Sequence, residues 1–267
     1  MDTILHWNIR GILSNYEHLN LILKESNPAV VALQETLLSS DKQINFTGYN
    51  ILSVPPSPTS QGVTGGVALL IKKSLLFSRF SIQSPLQVVA AKVSLHKTVT
   101  ICSIYLPPSA SVSEQDISDL IQQLPRPFLL LGDFNGHSPL WGSNRSSPRG
   151  VMLEGVFSEM DAVVLNKKSP TYLHSASGSL SCLDLSVCDP SLVLDYEWGV
   201  QDDLHGSDHF PVVLSPLVPQ PTYVPESLLF KKANWDLFKI NIQAALHDHV
   251  IFQSEDPAGL ITDIILN

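Results

Sequence analysis

The stretch LLLGDFNGHSPLWGS, residues 129–143, fixes the reading of the chain. Three leucines running into a glycine read as a strand covered on both faces. The strand ends on Asp133 and Asn135, so it carries an acid and an amide to the edge of an apolar sheet. The same grammar recurs elsewhere. ILHWNI ends near Asn8, VVALQET on Gln34 and Glu35, TICSIYLPP on Tyr105, SCLDL on Asp184, and HGSDHFPVVL opens with Asp208 and His209. A single polar residue at a strand end ordinarily caps a turn. The set is different, because in two stacked sheets such ends can converge on one rim where a ligand binds.

Composition sets the frame. Hydrophobic residues make up 44% of the 267 and charged residues 15%, enough to bury a large core as one domain or two small ones. No uninterrupted apolar run reaches the length a membrane span needs, so no membrane partner is expected. The formal net charge of -9 argues against general coating of polyanions. It leaves room for a site that gathers acids around a metal and sets a few bases along its rim. Cys102, Cys182 and Cys188 are odd in number and sit in apolar stretches, which predicts buried free thiols. The opening Met1–His6 lacks the basic and apolar regions of a signal peptide, so the expected setting is intracellular.

Strands are predicted over Thr3–Ile9, Ala29–Gln34, Gly66–Ile71, Val88–Leu95, Val99–Tyr105 and Phe128–Asp133, then over Ser181–Cys188, Val193–Gly199 and His209–Leu214. Helical spacing marks Tyr16–Lys24, Ile117–Leu124 behind a capping box opened by Ser113, and Arg149–Met160. SPLVPQPTYVPES, residues 215–227, holds four prolines and reads as an extended linker that cannot continue a sheet. Helices are predicted beyond it, over Trp235–His249 and Ala258–Ile265. The expected division is therefore a domain over 1–215 and, over 216–267, a linker with the helical start of a further region.

Phosphodiester hydrolysis gives the polar set a common purpose. It needs charge neutralised on the phosphate, a water made nucleophilic and a leaving oxygen stabilised. Glu35 suits an oxygen-seeking Mg²⁺ ion, and His209 can donate to a phosphate oxygen if an acid fixes its tautomer.

These motifs resemble the endonuclease/exonuclease/phosphatase superfamily over residues 3 to about 215. GDFN with SDH is the superfamily's signature, and GDFNxHxxLWG is similar to the endonuclease that opens the replicase polyprotein of jockey-like non-LTR retrotransposons. The resemblance implies a DNase I-like four-layer α/β/β/α sandwich and a Mg²⁺-dependent endonuclease, with Mn²⁺ as a substitute. By the same resemblance Glu35 ligates the metal with Asp208 near it, and Asp133 aligns or deprotonates the attacking water. Asn8, Tyr105 and Asn135 hold the scissile phosphate. His209 stabilises the pentacoordinate phosphate and Asp184 orients it. Arg10 stands where repair-type relatives carry an acid, so it would meet DNA phosphate or pair with an acid. Thr171 and Arg145 join Asn8 and Arg10 as expected substrate contacts, with Arg149, Lys167 and Lys168 as further candidate phosphate contacts. Residues 169–181 read as two strands around a Ser/Gly turn, a hairpin that relatives use to probe DNA shape. Trp141 is expected as a packing anchor, and His137 has no assigned role.

The implied activity is nicking of double-stranded DNA to leave a 3′-hydroxyl primer for the polyprotein's own reverse transcriptase, with element RNA as template. The site of action would be nuclear, after synthesis in the cytoplasm. The competing readings are a repair endonuclease at abasic sites, a phosphatase of phosphorylated lipids or sugars, and a binding module without catalysis.

Overall fold

The computed structural model describes residues 2–42, 44–59 and 62–217. In chain order its strands are β1 (Ile4–Asn8), β2 (Val30–Gln34), β3 (Tyr49–Val54), β4 (Ser57–Thr59), β5 (Gly62–Thr64), β6 (Val67–Lys72), β7 (Phe77–Phe80) and β8 (Gln87–Ser94). They continue with β9 (Thr98–Tyr105), β10 (Phe128–Asp133), β11 (Val163–Val164), β12 (Tyr172–His174), β13 (Ser179–Ser181), β14 (Asp184–Cys188), β15 (Tyr196–Val200) and β16 (Val212–Pro216). The α-helices are α1 (Tyr16–Glu25), α2 (Glu114–Gln123) and α3 (Pro148–Glu159). Strands β1, β2, β6, β8, β9 and β10 each fall within a residue of the expected ends.

Two six-stranded sheets form, in the orders β15-β16-β1-β2-β6-β3 and β11-β14-β10-β9-β8-β7. Each is built around one parallel pair, β1 with β2 and β9 with β10, and in each the crossover carries a helix, α1 or α2. Helix α2 starts where its sequence says it should: Ser113 and Asp116 cap each other's backbone reciprocally. Its Ile117, Leu120 and Ile121 pack with Leu153, Val156 and Phe157 of α3 on the outer face of the second sheet. Leu19, Ile22 and Leu23 of α1 cover the outer face of the first. Between the sheets lie Ile4, Ala32, Leu69, Val89, Ile101, Leu129, Leu131, Trp198 and Leu214. The result is the four-layer α/β/β/α sandwich.

Alternation along the strands then decides where the polar ends point. On β10, Phe128 and Leu130 face the helices while Leu129 and Leu131 face the other sheet, so Asp133 falls on the inter-sheet side. The same parity turns Asn8 inward with Ile4, Tyr105 with Ile101, and Asp184 with Cys188. Because the parallel strands β1, β9 and β10 deliver Asn8, Tyr105 and Asp133 at their carboxyl ends, and the antiparallel β14 begins with Asp184 opposite Asp133, the polar groups gather at one edge.

Four expectations change. β15 starts at Tyr196, not Val193, because Pro190–Leu192 first turn as a short 3-10 helix capped by Asp189. β16 starts only at Val212, since His209 makes an isolated pairing with Tyr172. It also runs into the proline-rich stretch: Pro216 pairs with Tyr196 of β15, while β1 pairs no further than Leu214, so no ladder hydrogen bond is lost to β1. The strand expected over Ser181–Cys188 divides, Ser181 closing the β12–β13 hairpin and β14 starting at Asp184. The linker and helices expected after residue 216 lie, beyond Leu217, outside the described residues. All three cysteines are buried and free, as expected, and burial pushes the Cys182 and Cys188 thiols up to about 12.

Gly132 has a steric reason. A Cβ there would lie 1.9 Å from the carbonyl oxygen of Ile104 on the neighbouring strand β9. Gly132→Ala is therefore expected to lower stability by about 2–3 kcal/mol in urea unfolding, the usual cost of forcing an atom into a packed core; an unchanged midpoint would refute that account.

Candidate active site

Six strand ends or adjoining turns supply the site, one of them the turn before β16 that carries Asp208 and His209. Asn8 ends β1, Glu35 follows β2, Tyr105 ends β9, Asp133 ends β10 and Asp184 begins β14 opposite Asp133. Three turn residues here adopt left-handed backbone: Arg10 at φ 49°, Glu35 at φ 47° and Asn135 at φ 49°. Non-glycine residues rarely accept this conformation, and they do so where surrounding contacts enforce it. Those contacts are present. The Gly11 amide donates to the Glu35 carbonyl, and the Asn135 amide donates to Asp133 Oδ1, at 2.8 and 2.9 Å.

Asn8 is the hub. Its Nδ2 lies 3.1 Å from Glu35 Oε1, 3.0 Å from Asp133 Oδ2 and 3.5 Å from His209 Nε2. Asp133 Oδ2 also accepts from Asn135 Nδ2 at 2.9 Å. His209 Nδ1 meets Asp184 Oδ2 at 2.8 Å, and its Nε2 stands 3.9 Å from Asp133. His209, Asp133 and Asp184 are all buried, at 5%, 1% and 1% exposure. Their charges are therefore screened less than at the protein surface.

Burial alone would push His209 down. The carboxylates of Asp184, Asp133 and Asp208 reverse this and hold it up at about 9, so the ring is an imidazolium at neutral pH. Burial likewise pushes Asp133 up; His209 pulls it back, Asp184 and Glu35 push it up again, and it settles near 7. The neutral phenol of Tyr105 is favoured by burial and by Glu35 beside it.

A cleft of about 260 Å³ opens onto this cluster, lined by Arg10, Glu35, Asp133, Asn135, Asp208 and His209 with Tyr172 and His137 at its side. Asp133, Asp184 and His209 each bring a donor atom within 4.8 Å of the others, a grouping able to hold a metal ion. The His209–Asp184 hydrogen bond and the ring's positive charge limit that use, since an imidazolium has no lone pair to give. Glu35 and Asp133, bridged by one amide, offer the hard oxygens that a cation such as Mg²⁺ takes.

The expected residues do not all stand as expected. Asn8, Glu35, Tyr105, Asp133, Asn135, Asp184 and His209 come together. Asp208, expected beside the metal, lies at the cleft and pairs with Arg10 at 3.0 Å, one of the two roles expected for Arg10. Thr171, expected at the substrate, is fully buried; its hydroxyl accepts from the amides of Leu183 and Asp184, both at 3.1 Å, so it positions Asp184 instead. Arg149 is not a free phosphate contact either. Its guanidinium donates to the carbonyls of Leu106, Phe134, Pro107, Pro108 and Ala110, stapling the loop behind Tyr105. Lys167 pairs with Glu197 at 3.3 Å, whereas Arg145 is exposed and lies 3.5 Å from His137. Trp141 is buried, its indole donating to the Gly136 carbonyl.

Sequence reading missed two supports. Ser207 donates to the Asn8 carbonyl at 2.7 Å and accepts from the His209 amide, tying the SDH turn to β1. Tyr172, at the start of the hairpin, packs its ring 4.7 Å from that of His209. The serine of SDH was a signal in plain view; Tyr172 had none, because its approach depends on how the hairpin folds back.

Comparison with known proteins agrees with this geometry. Residues 99–213 match the family model described as endonuclease-reverse transcriptase. The chain is 30% identical, over 89% of its length, to the RNA-directed DNA polymerase from mobile element jockey of Drosophila melanogaster. It is 25% identical, over 98% of its length, to the probable RNA-directed DNA polymerase from transposon X-element of the same organism. It spans 26% and 30% of those two relatives. Among solved structures, the endonuclease domain of TRAS1, a telomere-specific non-LTR retrotransposon, superposes with a TM-score of 0.66 at 20% identity, covering 80% of this chain and 97% of that one. The AP endonuclease LMAP from Leishmania major gives 0.67 at 14% identity, covering 81% of this chain and 88% of that one, which shows a shared fold.

The His209–Asp184 pair makes a measurable claim. His209 is expected to titrate near 9 by NMR, above the 6.5 of an ordinary histidine. The stability it brings is fully present below pH 6.5 and is lost as pH rises through 9. Asp184→Ala should lower its titration point by about 1–3 pH units; no movement would mean that Asp184 does not hold the charge.

Proposed function

This chain carries an endonuclease domain of the endonuclease/exonuclease/phosphatase superfamily, of the type found in reverse transcriptase proteins of jockey-like non-LTR retrotransposons, and we propose that it nicks one strand of duplex DNA in a Mg²⁺-dependent reaction. The observation that carries the proposal is the buried Asp133–His209–Asp184 cluster at the floor of an open cleft that also presents Glu35.

Each residue has a task its chemistry suits. Glu35 would hold the cation, with Asp133 close by; the cation would supply charge neutralisation at the phosphate. Asp133, held near 7, is poised to take a proton from the attacking water. His209, held as an imidazolium by Asp184, donates to a non-bridging phosphate oxygen as negative charge builds there. Amide protons of Asn8 and Asn135 and the hydroxyl of Tyr105 orient the phosphate. The water oxygen bonds to phosphorus, the bond from phosphorus to the 3′ oxygen breaks, and that oxygen leaves as a 3′-hydroxyl once protonated. The other product is a 5′-phosphate.

The finer reading follows from the relatives. Their names include RNA-directed DNA polymerases, so the 3′-hydroxyl would serve as primer for a reverse transcriptase region of the same protein, copying element RNA. Work on chromosomal DNA would make the nucleus the place of action. The domain division at residue 215 belongs to this proposal, as does Mn²⁺ as a substitute ion.

Wild-type protein is expected to convert supercoiled plasmid to the nicked form with Mg²⁺ and not with EDTA. Asp133→Ala and His209→Ala should each lower the nicking rate by at least about a hundredfold while leaving DNA affinity within a few-fold. Wild type that fails to nick would sink the proposal, and strong preference for an abasic duplex over the intact one would replace it with a repair activity. A second measurement tests the proton assignments. The nicking rate should rise with pH through about 7 as Asp133 ionises and fall above about 9 as His209 loses its proton. A flat profile across that window would reject them.

A further inference from the structure

Behind the reacting groups stands a second histidine that the steps above do not use. His6 lies two residues before Asn8 on β1, and alternation points it to the same inter-sheet side. It is fully buried. Burial, only partly opposed by the charge of Asp184, pushes it down to about 4, so the ring is neutral at pH 7.

A neutral imidazole donates from one nitrogen and accepts at the other, and its neighbours decide which. The indole Nε1 of Trp198, which can only donate, donates to Ser186 Oγ at 3.1 Å. The same Oγ stands 2.8 Å from His6 Nε2. Among the described residues these are the two partners of that hydroxyl, so its own proton goes to His6 Nε2. The ring proton of His6 is then on Nδ1.

That Nδ1–H has no partner among the described residues, and neither has Asp184 Oδ1. Asp184 and Ser186 are alternate residues of β14, so they share the inter-sheet side. One buried donor without an acceptor and one buried acceptor without a donor thus stand in the same polar layer. Buried polar groups are nearly always satisfied, and a water with two such partners is held firmly in a protein interior. We propose that one buried water accepts from His6 Nδ1 and donates to Asp184 Oδ1, making His6 a positioning residue for the carboxylate that orients His209. Oδ2 of Asp184 is fixed by His209; the water fixes the other oxygen and so sets the plane of the carboxylate.

The kinetic part of this inference rests on the nicking activity proposed above; the structural part does not. A high-resolution crystal structure is expected to show a water within hydrogen-bonding distance of His6 Nδ1 and Asp184 Oδ1. An empty gap, or a direct bond between the two, overturns the proposal whether or not the protein nicks DNA. In single-turnover nicking assays, H6L, which cannot donate, should lower the rate about tenfold with DNA affinity unchanged. H6N, whose amide nitrogen can occupy the Nδ1 position, should recover most of that loss. In a D184A background H6L should have no further effect, because its action passes through Asp184. Equal losses in H6L and H6N, or a tenfold loss that persists without Asp184, would make His6 a core-packing residue and overturn the proposal. Failure of wild type to nick would reject the activity and leave the crystallographic result to decide the water.

Discussion

The hydrogen bond between His209 Nδ1 and Asp184 Oδ2, 2.8 Å long and closed off from water, is the contact on which the site depends. Two charged groups this deep lose most of their hydration, and the loss is recovered only when their geometry and remaining hydrogen bonds are good. The fold supplies both. Thr171 Oγ1 accepts from the Asp184 amide, Asn166 Nδ2 donates to its carbonyl, and Ser207 holds the backbone on the other side at His209. The Trp7 indole donates to the His209 carbonyl, so that residue is gripped from β1 as well. The pair is rigid because elements from both sheets hold it, and an imidazolium that cannot swing away suits a group that must meet a developing oxyanion.

Alternation explains why the two sheets had to meet with this polarity. A strand with period two cannot bury leucines on one face and offer Asp133 to the opposite sheet unless Asp133 shares the parity of Leu129 and Leu131. The same constraint falls on Asn8 and Asp184. A slip of one residue in β10 would turn Asp133 towards the helices and leave an acid in an apolar layer. The close approach of Gly132 to the Ile104 carbonyl helps to forbid that slip, since a Cβ brought to that place in β10 would lie 1.9 Å from the carbonyl oxygen.

The inner strands were legible because hydrophobic runs with clear ends have few other structures open to them. LLLGD and VVALQ marked both the strand and the polar group it delivers. Outer strands were not. FSRF of β7 mixes charge with aromatic residues, the two-residue β11 is shorter than any window that shows a period, and YNILSV of β3 is only partly covered. At the site, residue types that act by charge were readable in sequence, whereas those that act by position were not. Thr171 and Arg149 both looked like surface contacts. The amides that donate to Thr171 and the carbonyls that accept from Arg149 come from segments as far as 13 and 43 residues away, and no local pattern reports such a return.

Charge at the site resolves the tension between an acidic protein and the polyanionic substrate proposed for it. Four carboxylates meet there, of Glu35, Asp133, Asp184 and Asp208, and two cations, Arg10 and the imidazolium of His209. Asp184 is offset by His209, and Asp208 by Arg10. The remainder is Glu35 and Asp133, two negative charges linked by the amide of Asn8. A divalent cation would balance that pair, and without one their mutual repulsion adds to burial in holding Asp133 near 7. The overall charge of -9 is therefore a poor guide to the cleft, where every acid is either paired or placed to share a dication. Arg10 matters in this balance for what it prevents. Were it an acid, the cleft would carry two further negative charges, one new and one released on Asp208.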